Sequence, residues 1–243
     1  MKGLVYFTII FLSLISCVKK NDEAFINIAP TVDTSDTSTD SSDTIKTYLA
    51  LGDSYTIGQS VPDYERFPVQ TVVFLRAKNI SIKDADIIAV TGWTTGDLLN
   101  ALNNNPPKNN YSFVTLLIGV NNQYQGRTLD EYKTQFTELL NRSIGYAGNN
   151  NKHVFVLSIP DYSVTPFARE ADKENIAKEI DEFNTANKVI SLNAGVNYID
   201  ITPASREAKN DASLIATDGL HPSGIQYTKW VDLLVPAVLQ QIK

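Results

Sequence analysis

Cysteine and histidine are scarce in this sequence, which has one cysteine and two histidines among 243 residues. A single cysteine cannot form a disulfide bond within the chain, and three such residues are too few for the common histidine and cysteine metal sites. We therefore expect neither a disulfide scaffold nor a bound metal ion. Any acid–base chemistry that uses imidazole must rely on His153 or His221.

Basic residues are also in the minority, with 21 lysines and arginines against 27 aspartates and glutamates and a formal net charge of −6. Such a chain repels phosphate backbones, so we expect no nucleic-acid partner. With 43% hydrophobic and 20% charged residues, the chain has the composition of one globular domain with a full core.

No apolar run reaches the ~20 residues that a membrane-spanning helix needs. The run LVYFTIIFLSLIS after Lys2 instead predicts a signal peptide over residues 1–16. Its end, LISC, resembles the lipobox of bacterial lipoproteins, which implies that Cys17 is lipidated and anchors the protein to the bacterial cell envelope, on the periplasmic or surface side. An ordinary secretory signal peptide followed by an unpaired Cys17 is the alternative.

The stretch TVDTSDTSTDSSDT at residues 31–44 consists almost entirely of threonine, serine and aspartate. It has no apolar area to bury against the entropy of ordering the chain, so we expect a disordered tether over residues 17–45. The folded domain is then expected to span residues 46–243.

Short apolar runs alternate with helical patterns along this domain. Runs without polar alternation are typical of strands buried on both faces, and they are TYLALG (47–52), ADIIAVTG (85–92), SFVTLLIG (112–119), HVFVLSIP (153–160) and the weaker VNYIDI (196–201). Capping boxes at 128–131 and 223–226 open two of the predicted helices, and Pro236 is expected to kink the last helix or end it early. The alternation predicts a three-layer α/β/α domain with a five-stranded parallel sheet, in a flavodoxin-like arrangement.

Polar residues follow the predicted strands, at the sheet edge where α/β proteins bind ligands. The set matches the needs of acyl transfer, in which a serine attacks, a histidine takes its proton and a carboxylate orients the histidine. Ser54, His221 and Asp218 fit these roles, since His153 begins a strand at the opposite edge. The backbone N–H groups of Ser54 and Gly92 and the side-chain amide of Asn121 are candidate donors to the oxyanion.

The blocks GDSY, GW, GVNN and DGLH, in this order, resemble those of the SGNH, or GDSL, hydrolase family of esterases and lipases. The resemblance implies a serine esterase that forms an acyl-enzyme, with Ser54, Asp218 and His221 as the catalytic residues, and with Gly92 and Asn121 in the oxyanion hole. It also implies no cofactor. Two residues depart from the family pattern: Tyr55 stands where leucine is commoner, and Asn122 stands where aspartate is usual.

The substrate stays open among small-molecule, glycan and lipid esters. Because no long apolar helix suggests a lid over a fatty-acyl chain, short-acyl or carbohydrate esters are favoured over the substrates of lysophospholipases and thioesterases. A non-catalytic lipoprotein that binds sugars or anions on the same fold is a further alternative. An α/β-hydrolase is disfavoured, because Thr56 occupies the final glycine position of its G-x-S-x-G elbow. The expected pocket-lining side chains are Trp93, Gln123, Tyr124, Asp161 and Tyr162.

Overall fold

The computed structural model of the protein describes residues 44–243. The predicted signal peptide (1–16), Cys17 and the predicted tether up to residue 43 lie outside the described residues, and their roles remain predictions. Within the described range, the first residue to pair with another segment is Lys46, which forms a parallel bridge with Ile82.

Five parallel strands form the central sheet, as the apolar runs predicted. They are β1 (Tyr48–Gly52), β2 (Asp86–Ala89), β3 (Phe113–Leu117), β4 (Val154–Leu157) and β5 (Asn197–Ile199). The strand order is β2-β1-β3-β4-β5, and every neighbouring pair is parallel. Strands β1, β3 and β4 are buried along their whole length, whereas the edge strands β2 and β5 are partly exposed.

Helices flank the sheet and complete the predicted α/β/α architecture. They are α1 (Ser54–Ile57), α2 (Phe67–Ala77), α3 (Thr95–Asn104), α4 (Val120–Tyr124), α5 (Leu129–Tyr146), α6 (Lys173–Asn193), α7 (Thr202–Arg206) and α8 (Gly224–Ile242). Helix α2 packs against α8, while α5 packs against both α3 and α6. Among residues 44–243, none of these helices is long and apolar enough to cross a membrane.

Two details of the last helix differ from the sequence-based expectation. Ser223 accepts a hydrogen bond from the N–H of Gln226, but both amide atoms of Gln226 are buried without a partner in the described residues, so the capping box is only half formed. Helix α8 also continues past Pro236 to Ile242, so the expected early end is wrong. A proline inside a helix costs about 3 kcal/mol, and the burial of Trp230, Leu234 and their apolar neighbours outweighs that cost.

The sheet order places three loops side by side. Because β1 lies between β2 and β3, the segments that follow these three strands meet at one edge of the sheet. These segments carry Ser54, Gly92 and Asn121. The loop before α8 carries Asp218 and His221 and reaches the same edge, where His221 and the three other residues line one pocket.

Candidate active site

Ser54 lies at a tight turn between β1 and α1. A Cβ atom on Gly52 would lie 2.1 Å from the Thr56 hydroxyl and 2.4 Å from the Leu117 carbonyl, so only glycine permits this turn. The carboxylate of Asp53 accepts the N–H of Tyr55 at 3.0 Å and caps the helix. Since Ser54 is the first residue of α1, its own N–H has no acceptor within the helix and is free for a ligand.

The imidazole of His221 is held by Asp218. Its Nδ1 lies 2.6 Å from Asp218 Oδ2, while Asp218 Oδ1 accepts the N–H groups of Leu220 and His221 at 2.9 and 3.0 Å. The ring of Tyr55 packs edge-on to the imidazole, with 5.6 Å between the ring centroids. A hydrogen bond from Nδ1–H to a carboxylate leaves Nε2 unprotonated and able to accept a proton.

The pKa of the Asp218 carboxyl group identifies it as an ionised partner. Partial burial opposes ionisation, but hydrogen bonds from Ser60, His221 and two backbone N–H groups outweigh it and hold the pKa well below its ordinary value. Asp53 behaves differently, since burial raises the pKa of its carboxyl group to about 7. Asp218 is therefore the carboxylate that can stabilise an imidazolium.

Ser54 and His221 line the same pocket, which has a volume of about 130 Å³. Among the hydrogen bonds of residues 44–243 there is none between the Ser54 hydroxyl and the imidazole. Catalytic hydrogen bonds are commonly long in ligand-free enzymes and tighten when substrate binds. The Ser54 hydroxyl and the His221 imidazole thus share one pocket, but in the described residues they form no hydrogen bond with each other.

The candidate oxyanion donors Gly92 and Asn121 line this pocket as well. Gly92 has φ +88° in the turn closed by a hydrogen bond from Trp93 N–H to Val90 O, a conformation that favours glycine. Asn121 Nδ2 donates to the carbonyl of Trp93 at 2.9 Å. Because an amide nitrogen carries two hydrogens, the second remains available to a ligand.

Asn122, the departure from the family pattern, is fully buried and joins two helices. Its Oδ1 accepts the N–H of Thr95 at 2.9 Å, and its Nδ2 donates to the Thr95 hydroxyl at 2.7 Å. The amide thereby fixes the start of α3 to α4, beside Asn121. An asparagine satisfies both groups of Thr95 without placing a charge in the core.

The five residues that were expected to line the pocket have four different environments. Tyr124 and Tyr162 line the pocket. Gln123 is buried beneath them and accepts the Tyr162 hydroxyl at 3.0 Å. Asp161 is buried in an ion pair with Arg206 at 2.8 Å. Trp93 does not line this pocket, although its carbonyl holds Asn121.

Two residues of the site carried no signal in the sequence. The Ser60 hydroxyl donates to Asp218 Oδ2 at 2.7 Å across 158 positions of sequence. Phe167 lines the pocket from the loop after β4. His153, in contrast, immediately precedes β4, at the end of the strand opposite to the site, and its imidazole Nε2 donates to the carbonyl of Gln241 at 3.2 Å. Within residues 44–243, no cluster of three or more metal-ligating side chains occurs.

The fold is a three-layer α/β/α domain, and its pocket at the carboxyl edge of the sheet contains Ser54 and His221. The profile of the GDSL-like lipase/acylhydrolase family matches residues 50–229, which is more than half of the chain. The chain therefore belongs to the SGNH, or GDSL, hydrolase family and is an ester hydrolase of that family. A search of curated protein sequences finds no match.

Several solved structures, including those of two esterases, share this fold. Axe2, an acetylxylan esterase from Geobacillus stearothermophilus, is 21% identical with a TM-score of 0.58, covering 81% of this chain and 94% of its own. The psychrotrophic esterase EstA from Pseudoalteromonas sp. is 17% identical with a TM-score of 0.58, covering 80% and 97%. TesA is 12% identical with a TM-score of 0.61, covering 81% and 99%. At these identities the likeness establishes the fold alone.

Proposed function

We propose that the protein hydrolyses short-acyl carboxylic esters, including those of carbohydrates, through an acyl-enzyme on Ser54. The observation that carries this proposal is the single pocket shared by Ser54, by the imidazole of the His221–Asp218 pair, and by Gly92 and Asn121. These groups supply a nucleophile, a base with its orienting carboxylate, and oxyanion donors.

In the first half of the reaction, His221 Nε2 takes the proton of Ser54 as Oγ attacks the carbonyl carbon. The resulting oxyanion accepts hydrogen bonds from the N–H groups of Ser54 and Gly92 and from Asn121 Nδ2. The imidazolium, stabilised by Asp218, then protonates the alkoxide as the alcohol leaves. In the second half, His221 deprotonates a water that attacks the acyl-enzyme, and the proton returns to Ser54 as the acid departs.

The size of the pocket supports a short acyl group. A volume of about 130 Å³ is small beside the roughly 300 to 1,000 Å³ of pockets that enclose drug-sized ligands. A short acyl group therefore suits this pocket better than a fatty-acyl chain. A fold shared with an acetylxylan esterase agrees with such a substrate.

The proposal includes attachment to the bacterial cell envelope through a lipid on Cys17, which LISC at residues 14–17 supports. Expression of the full chain beside Cys17→Ser, followed by membrane fractionation and mass spectrometry, tests it. Loss of a lipid adduct and of membrane association in the variant supports the anchor. A soluble, unmodified parent protein contradicts it and favours an ordinary signal peptide.

The esterase itself is tested with residues 46–243 and the Ser54→Ala variant on p-nitrophenyl esters of increasing chain length. We expect kcat to fall by on the order of 10³ to 10⁶ in the variant, because alanine removes the hydroxyl that is proposed to form the acyl-enzyme. The rate is expected to peak at acetyl or butyryl. Equal rates in both proteins would end the proposal, and an optimum at long chains would favour a lipid acylhydrolase. No turnover, with no fluorophosphonate labelling of Ser54, would favour a binding protein.

A further inference from the structure

Three aromatic side chains form one side of the pocket. Tyr124, Tyr162 and Phe167, here called the aromatic rim, have ring centroids 6.0 to 6.3 Å apart in tilted and edge-on arrangements. Tyr124 is 59% exposed and Phe167 is 46% exposed, while Tyr162 is buried between them and the core. Large exposed aromatic faces beside a reactive serine are available to the substrate.

Hydrogen bonds fix the aromatic rim to the site. The hydroxyl of Tyr162 donates to Gln123, whose Nε2 donates to Glu179 at 2.6 Å. The N–H of Phe167 donates to the carbonyl of Gly219 at 3.0 Å, in the same loop as the His221–Asp218 pair. The rim therefore keeps a set position relative to the imidazole.

The chemistry of the rim suits a neutral, hydroxylated ring. In the proposed reaction the short acyl group occupies the pocket, so the alcohol part of the ester lies toward its open side, where Tyr124 and Phe167 are exposed. All residues that line the pocket belong to the part of the chain that the structure describes. None of them is a lysine or an arginine that could pair with a phosphate. Aromatic faces carry negative partial charge and attract the C–H face of a sugar, while the sugar hydroxyls stay in water.

We propose that the aromatic rim binds the sugar ring of an acylated carbohydrate and so selects glycan esters over phospholipid esters. This inference rests on the proposed esterase activity. The test compares Tyr124→Ala and Phe167→Ala with the parent protein on an acetylated xylo-oligosaccharide, lysophosphatidylcholine and ethyl acetate, all followed by pH-stat. Ethyl acetate is the reference because its alcohol is too small to cover the rim.

We expect the ratio of kcat/KM for the oligosaccharide to that for ethyl acetate to fall at least about fivefold in each variant, through KM. Tyr64→Ala is the matched control, since Tyr64 is 69% exposed but does not line the pocket, and it should leave the ratio unchanged. An unchanged ratio in the rim variants, or a fall for lysophosphatidylcholine instead, overturns the inference. Failure of the parent protein on every ester would overturn the proposed function itself.

A second observation concerns the loop that follows α1. The hydroxyl of Ser60 donates to Asp218 Oδ2, the oxygen that also contacts His221 Nδ1. Ser60 has φ +67°. Among the described residues other than glycine, the others with a positive φ are all asparagines. Backbone strain at a side chain that contacts the site is typical of functional positions. Next to it, Gln59 Oε1 accepts the hydroxyl of Thr91 at 2.6 Å, beside Gly92.

We infer that Ser60 is a positioning residue, which holds the carboxylate of Asp218 against the imidazole of His221. This inference rests on the proposed esterase activity. Without the Ser60 hydroxyl, Asp218 Oδ2 keeps only its contact with His221 Nδ1, so the carboxylate holds the imidazole less firmly. Because the imidazole acts after the substrate has bound, kcat should fall and KM should stay unchanged.

Ser60→Ala keeps the strained backbone, and Ser60→Gly relieves it, while both remove the hydroxyl. We expect the same fall in kcat, of up to about tenfold, in both variants, with KM within about twofold of the parent protein. Ser213→Ala is the matched control, because the Ser213 hydroxyl donates to Asp211 at 2.6 Å on the surface. An unchanged kcat in both variants, or a fall in only one of them, overturns the inference.

Discussion

Substitution of Asn121 by alanine isolates one oxyanion donor. The side-chain nitrogen carries two hydrogens, and the Trp93 carbonyl, 2.9 Å away, accepts one of them. The second is free inside the pocket that contains Ser54. Alanine removes both hydrogens and leaves the backbone of α4 in place.

The two lost hydrogen bonds affect two different measurements. Removal of one donor to a developing oxyanion costs about 3 to 4 kcal/mol of transition-state stabilisation, so kcat should fall roughly 10² to 10³-fold. The bond to Trp93 is made in the ground state and contributes only about 1 kcal/mol to folding. At about 2 to 4 °C per kcal/mol for a chain of this size, Tm should fall by only a few degrees.

The assay is steady-state hydrolysis of p-nitrophenyl acetate at pH 8, with Tm measured by calorimetry on the same samples. Asn151→Ala is the matched control, because Asn151 Nδ2 also donates to a backbone carbonyl, that of Ala194, at 3.1 Å and outside the pocket. It should lower Tm to a similar extent and leave kcat within twofold of the parent. A loss of kcat below threefold in Asn121→Ala would remove this amide from the oxyanion hole.

Three further variants test the surroundings of the site. Because burial raises the pKa of Asp53 to about 7 from 3.8, its contribution to stability is fully present below the ordinary pKa and is lost as pH rises through about 7. Asp53→Asn cannot ionise, so its Tm should fall less than the parent's between pH 5 and pH 8, and equal slopes would refute the burial argument. Asn122→Ala leaves the buried N–H of Thr95 without an acceptor, which costs about 1 to 3 kcal/mol and should lower Tm by roughly 5 °C; an unchanged Tm would contradict this. Asp218→Asn should reduce kcat on ethyl acetate by on the order of 10² to 10⁴, and a loss below tenfold would exclude Asp218 as the orienting carboxylate.

The sequence was informative where a residue type determines local structure. Non-alternating apolar runs predict buried parallel strands because both faces of such strands are covered, and all five predicted strands occur in the structure. Chain order then predicts which loops share the carboxyl edge, and the structure brings Ser54, Gly92, Asn121 and His221 to one pocket. Their catalytic roles remain predictions.

The sequence was uninformative where a contact depends on three-dimensional packing. Nothing in the residues around Ser60 indicates a bond to a carboxylate 158 positions away. The half-formed cap at Gln226 and the passage of α8 through Pro236 depend on how tightly the helix packs, which local pattern rules do not include. Asn122 was noticed as a departure, but its function as a link to Thr95 required the position of α3.

The candidate catalytic residues lie far apart along the chain, so the ribosome synthesises them at different times. A chain that has left the ribosome as far as β5 already contains Ser54, Gly92 and Asn121, yet it lacks Asp218 and His221, which precede only the final helix. That helix docks against α2 and buries Trp230 completely. On the proposed mechanism, a chain that ends before Asp218 carries a serine without its base, so esterase activity requires the chain to extend through the loop before the last helix.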